Sequence, residues 1–151
     1  MKKFVFSLEN VLRFKKETLD MLKNEMAQLQ MEIHQIEQKI TQLKQEYHSL
    51  NRTLTLKMQS GIESSDIGVY KRYFAELDRQ TKKFEAQRTA LQRAVAAKQA
   101  EIVERKKDIS GLEKLRESQL KAYEAQDRKE QELMVEEFVS HRKASSDGLT
   151  A

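Results

Sequence analysis

Residues 26–54, "MAQLQMEIHQIEQKITQLKQEYHSLNRTL", run without a glycine or a proline. Apolar side chains fall at Met26, Leu29, Ile33, Ile36, Ile40, Leu43, Tyr47, Leu50 and Leu54, always three then four residues apart. That spacing lines up one face of an α-helix as a heptad seam, which is stable only when another helix covers it. The partner is a second copy, a foreign protein or another part of the same chain.

Carried backwards, the stripe meets Leu22, Leu19, Lys15, Leu12 and Leu8, so 13 of its 14 positions from Leu8 to Leu54 are apolar. At the chain's 38% hydrophobic content, chance would supply about five. Ser7 is a good N-cap, and Phe6 and Val11 stand at the spacing of a hydrophobic staple, so the first helix is expected to start near residue 7. Next, "KMQSGIESSDIGVY" gathers two of the four glycines and three serines. This is the one break, with Ser64 or Ser65 as the next N-cap. Beyond it the rhythm resumes at Ile67, Tyr70, Phe74, Leu77, Thr81, Phe84, Arg88, Leu91, Val95, Lys98, Ile102, Arg105, Ile109 and Leu112.

Folding the chain at residue 62 sets Leu54 against Tyr70, Leu50 against Phe74, Tyr47 against Leu77, Ile40 against Phe84, Leu29 against Val95, Leu22 against Ile102 and Leu12 against Leu112. The numbers of each pair add to 124. A constant register across two stripes points to self-closure as an antiparallel coiled-coil hairpin. Arg88, Lys98 and Arg105 then face Ile36, Met26 and Leu19, with stems long enough to lie on the seam while their charges lift out. At ~1.5 Å per residue the paired stretch makes a rod of roughly 70 Å.

The expected fold is therefore all-α and a single coiled-coil domain over 1–151. Helix 1 covers about 7–58, the turn 59–65 and helix 2 about 66–142, with a frayed tail over 143–151. Because helix 1 begins near Ser7, its partner runs out near Arg116, yet the sequence stays helix-forming to about residue 142. Leu120, Tyr123, Leu133, Met134, Phe138 and Val139 in this stretch are out of step with Leu112, which implies a changed seam phase between Gly111 and Leu120. The reading is a C-terminal helical overhang, from about Ser118, with no partner in its own chain.

Composition supports the helical reading and narrows the function. The chain is 34% charged, with no Pro, Trp or Cys, so disulfides and thiolate metal sites are excluded. No apolar run has the length of a signal peptide or a membrane span, which reads as a cytosolic chain without direct membrane insertion. The net charge of +4 comes from 28 basic and 24 acidic residues mixed throughout, which argues against a nucleic-acid partner. No Gly-rich phosphate loop is present, and a thin hairpin offers no water-excluding pocket for Ser, His and Asp, so no catalytic residue or cofactor is expected. His34 and Glu37 stand one turn apart but lack a second pair of ligands, so no metal site is expected. Glu130, Glu132, Glu136 and Glu137 read as a solvated face somewhat before a partner patch, because charge runs usually just keep helices soluble. Of the aromatics near the turn, Tyr70 and Phe74 are seam residues and Tyr73 lies beside the seam, where an exposed aromatic marks a contact.

Four blocks resemble the flagellar export protein family FliJ. "FSLENVLRFKK" is similar to that family's Phe-x-Leu-x-x-Leu start, and "MQSGIESS" with "YKRYFAEL" resembles its Gly-Ile turn and Tyr-x-x-aromatic-x-x-x-Leu continuation, here Gly61, Ile62, Tyr70, Tyr73 and Leu77. "LEKLRESQLKAYEAQDRKEQ" stands where the family has its charged second-helix stretch. "VEEFVSHR" resembles its closing Asp-Glu motif, with Glu136 in place of the Asp.

The resemblance implies a non-enzymatic stalk inserted in the hexameric flagellar export ATPase. It further implies contact with the cytoplasmic domain of the membrane export gate, transient binding of export chaperones, and a place at the cytoplasmic face of the inner membrane. On that basis the gate is expected at the hairpin tip through Tyr70, Tyr73, Leu77 and Phe84, and the ATPase at the terminal end through Leu120, Tyr123, Leu133, Met134, Glu137 and Phe138. Two other readings share the same helices: a structural coiled coil that self-associates, and the equivalent stalk of a virulence type III secretion system.

Overall fold

The computed structural model describes residues 2–149. Two helices, α1 (Glu9–Ser60) and α2 (Ser64–Leu149), make up nearly all of it and pack antiparallel as an α-helical hairpin. No strand occurs among the described residues.

The connection is shorter than the expected 59–65. α1 keeps its geometry through Ser60, whose hydroxyl donates back to the carbonyls of Leu56 and Lys57 at 3.3 Å. Gly61 then reverses the chain at φ +94°, a left-handed conformation that costs glycine nothing and any larger residue strain. α2 starts at once, with the Glu63 carbonyl accepting from the amides of Asp66 and Ile67, so Glu63 precedes the helix where Ser64 or Ser65 was expected. α1, by contrast, begins about two residues late. The Leu8 carbonyl accepts the first helical bond, from Leu12, and Glu9 closes a turn onto the Phe6 carbonyl. Phe6 goes to the core at 4% exposure while Val11 stays 42% exposed, so tertiary packing and not a local staple places the start of α1. At the other end α2 keeps helical geometry past 142 to Leu149, while residues 150 and 151 of the expected tail lie outside the described residues.

The chain divides into two compact units, to each of which both helices contribute: Leu19–Val103, and Met1–Thr18 with Glu104–Ala151. In the first, Leu22, Ile40, Leu77 and Ile102 are buried to 8% exposure or less. Contacts across its seam follow the expected register. Tyr47 meets Phe74 edge-on at 4.8 Å, the Lys39 ammonium sits 5.3 Å over the Phe84 ring, and Lys98 pairs with Glu25, next to Met26. Lys98 thus keeps its stem on the seam and its charge on a carboxylate, which raises it above the ordinary lysine value.

In the second unit Leu12 and Ile109 are buried, and Lys15 pairs with Asp108 and Lys16 with Glu113, both at 3.1 Å. Past Leu112 the partly buried positions of α2 are Arg116, Leu120, Tyr123, Asp127 and Glu130. Two consecutive four-residue steps, Leu112 to Arg116 to Leu120, are the expected change of phase.

One expectation fails here. The stretch from Ser118 is not without an intramolecular partner, because the non-helical residues before α1 lie along it. Phe4 packs against Tyr123 with ring centroids 5.5 Å apart, and the Tyr123 hydroxyl donates to the Lys2 carbonyl at 2.5 Å. An extended chain advances about 3.3 Å per residue against 1.5 Å in a helix, so a few residues ahead of α1 reach twice as far along α2 as more helix would. The solvent-facing part of α2 begins only after Glu130: every residue from Gln131 to Ser146 is exposed.

Candidate functional site

Two surfaces carry the residues expected to bind partners. Near the turn, packing sorts the four tip residues. Leu77 is 4% exposed and fills the seam, so it offers no surface. Tyr70 and Phe84 are partly buried in the same seam, each beneath a lysine of α1: Lys57 lies 5.3 Å over Tyr70, whose neighbouring hydroxyl raises the lysine above its ordinary value, and Lys39 lies over Phe84. Tyr73 alone of the four faces outward, at 49% exposure. It stands at a shallow groove whose other wall is α1, through Gln42, Gln45, Ser49 and Thr53.

Sequence reasoning missed two neighbours. Val69 is one helical turn before Tyr73, and Leu56 is one turn after Thr53; both are largely exposed, at 55% and 62%. The signal was present in the sequence. Both are apolar residues off the stripe, which a search for the seam passes over.

At the terminal end, Leu120 and Tyr123 are partly buried, Tyr123 against the N-terminal segment, while Leu133, Met134 and Phe138 are 50%, 70% and 63% exposed and Glu137 is exposed. Val135 and Val139, at 62% and 56%, complete the surface, although Val135 was not singled out beforehand. At 100° per residue, Met134, Phe138, Val135 and Val139 span an arc of about 140°, with Leu133 well off it. Glu130 and Glu137 flank one edge of that arc, Glu132 and Glu136 the other. The result is an apolar helix face between two acidic borders.

The chemistry of these surfaces is that of contact. Among the described residues no group of His, Asp and Glu could hold a metal ion, and no helix is long and apolar enough to cross a membrane. The family model described as "Flagellar FliJ protein" matches residues 4–147, nearly the whole chain. The chain belongs to the flagellar FliJ protein family. No curated protein and no solved structure gives a significant match. FliJ membership makes the chain a flagellar export-associated component, in a family of non-enzymatic export proteins. The match takes in Phe4 and Tyr123 as well as both exposed surfaces.

Proposed function

We propose that the protein is a stalk of the flagellar type III export apparatus. Its terminal end engages the pore of the hexameric export ATPase, its tip touches the cytoplasmic domain of the export gate, and export chaperones bind it transiently at the cytoplasmic face of the inner membrane. The observation that carries this reading is the face Met134, Val135, Phe138 and Val139 between its acidic borders. An apolar helix face left in water is a docking surface, and its rims call for a partner groove edged by basic residues.

Stimulation of ATP hydrolysis by the purified export ATPase tests it. Phe138→Ser should cut stimulation at least tenfold and leave the hairpin's melting temperature unchanged, because Phe138 is 63% exposed. Full stimulation by this variant would move the ATPase contact elsewhere. At the tip, Tyr73→Ala should weaken gate binding while costing less than about 1 kcal/mol of stability, as expected for an exposed side chain.

The exposed apolar residues of 133–139 also favour one rival, a self-associating structural coiled coil. Sedimentation at micromolar concentration separates the two: a dimer lost in Phe138→Ser supports the rival, a monomer the stalk. Flanking genes would separate the flagellar assignment from a virulence system.

A further inference from the structure

We propose that residues 2–5 form a releasable strap that opens independently of the helical hairpin and controls access to the α2 face made by Arg116, Leu120 and Tyr123. This inference does not rest on the stalk reading.

The strap is held differently from everything beside it. No backbone–backbone hydrogen bond ties residues 2–5 to another described segment; the first such bond belongs to Phe6, whose carbonyl accepts from Glu9. Its side-chain contacts converge on two residues of α2. Phe4 packs on Tyr123 with the rings tilted, the Arg116 guanidinium lies 5.8 Å over the Phe4 ring, and the Tyr123 hydroxyl holds the Lys2 carbonyl. Arg116 is itself positioned from the other side by Glu9 at 3.0 Å. Side chains alternate as an extended segment requires: Phe4 and Phe6 turn inward, while Lys3 is exposed and Val5 is 80% exposed. Phe6, at 4% exposure, is the pin about which the preceding residues swing.

A segment with one aromatic pair, one cation–ring contact and one hydrogen bond, and no ladder, opens locally long before a seam of buried aliphatic side chains does. Opening has a defined consequence on α2. The partly buried positions Arg116, Leu120, Tyr123, Asp127 and Glu130 run on, four residues later, to Met134 at 70% exposure. With the strap in place, the outward apolar face starts only near residue 133. With it released, Leu120 and Tyr123 join that face, and a partner helix can follow α2 back to where α1 begins. A partner that pairs with α2 over its full free length must displace the strap.

The chain has no tryptophan, so Phe4→Trp places a single reporter in the strap. Its emission should move to that of a solvated indole at temperatures where the helical circular dichroism is still unchanged. Tyr123→Phe, which removes only the bond to the Lys2 carbonyl, should raise the open fraction by about fivefold, the effect of one hydrogen bond. A second measurement avoids the indole: in Phe4→Ala, binding of an apolar fluorescent dye should at least double over wild type with the helix melt in place. Coincident melting of the indole and helix signals, or dye binding unchanged in Phe4→Ala, would overturn the proposal.

Discussion

Two stretches of α2 have the same secondary structure and opposite surroundings. From Ile67 to Leu112 every stripe position is at least partly buried, polar Thr81, Arg88, Lys98 and Arg105 included. From Gln131 to Ser146 every residue is exposed, though Leu133, Met134, Val135, Phe138 and Val139 are as apolar as anything on the seam. Burial here follows from the presence of a facing chain and not from the hydrophobicity of the residue. The first stretch is stabilised by packing, and the second chiefly by helix propensity until something covers it.

The sharpest way to break this comparison is to delete the same kind of side chain in both stretches. Ile102 is 2% exposed and faces Leu22, so Ile102→Ala should cost about 2–4 kcal/mol through lost burial and the cavity left behind. Phe138→Ala should change stability by less than about 0.5 kcal/mol, despite the larger side chain removed. Comparable losses in thermal or urea unfolding would mean that residues 131–146 pack on the chain after all.

Truncation comes next in size. Cutting after Glu130 removes the exposed stretch from Gln131 to Ser146, so ellipticity should fall while the melting temperature holds. Cutting after Leu120 also removes Tyr123, the anchor of Phe4 and of the Lys2 carbonyl, and should cost about 1 kcal/mol more, the worth of an aromatic contact or a hydrogen bond. Identical melting of the two truncated chains would show that the N-terminal segment contributes nothing to stability.

The difference between those cuts marks where the sequence was legible and where it was not. The seam could be read because helix periodicity is redundant: fourteen positions repeat one statement, and the register of 124 had to agree along its whole length. Even the polar seam positions were placed correctly, since a lysine or arginine stem covers apolar surface as a leucine does. The reach of residues 2–6 was not legible. Phe4, Val5 and Phe6 are all apolar, so no alternation in the sequence marks an extended segment, and counting residue against residue assumes that both sides advance at 1.5 Å. At the tip, periodicity placed Leu77 on the seam but could not say that packing there leaves it no exposed surface. Tyr73 was separable from Tyr70 because it lies off the stripe.

The smallest expected effect belongs to a contact that needs no facing helix. Arg79 holds both carboxylate oxygens of Glu76, at 2.6 and 2.9 Å, and Gln80 donates to one of them at 3.1 Å, all within a turn of α2. The hydrogen bonds from Arg79, then that from Gln80, lower Glu76 from 4.5 to about 2. A carboxylate depressed by folding binds its proton more weakly in the native state, so its contribution is full above the unfolded value of 4.5 and is lost as pH falls through about 2. Because the pair is solvated, the loss should be a shallow slope in helix stability between those limits, weaker in high salt. Carbon-detected NMR titration of the Glu76 carboxyl should give a midpoint well below that in Arg79→Met, where the fork is gone. Equal midpoints in the two proteins would show that Arg79 does not hold the carboxylate in solution.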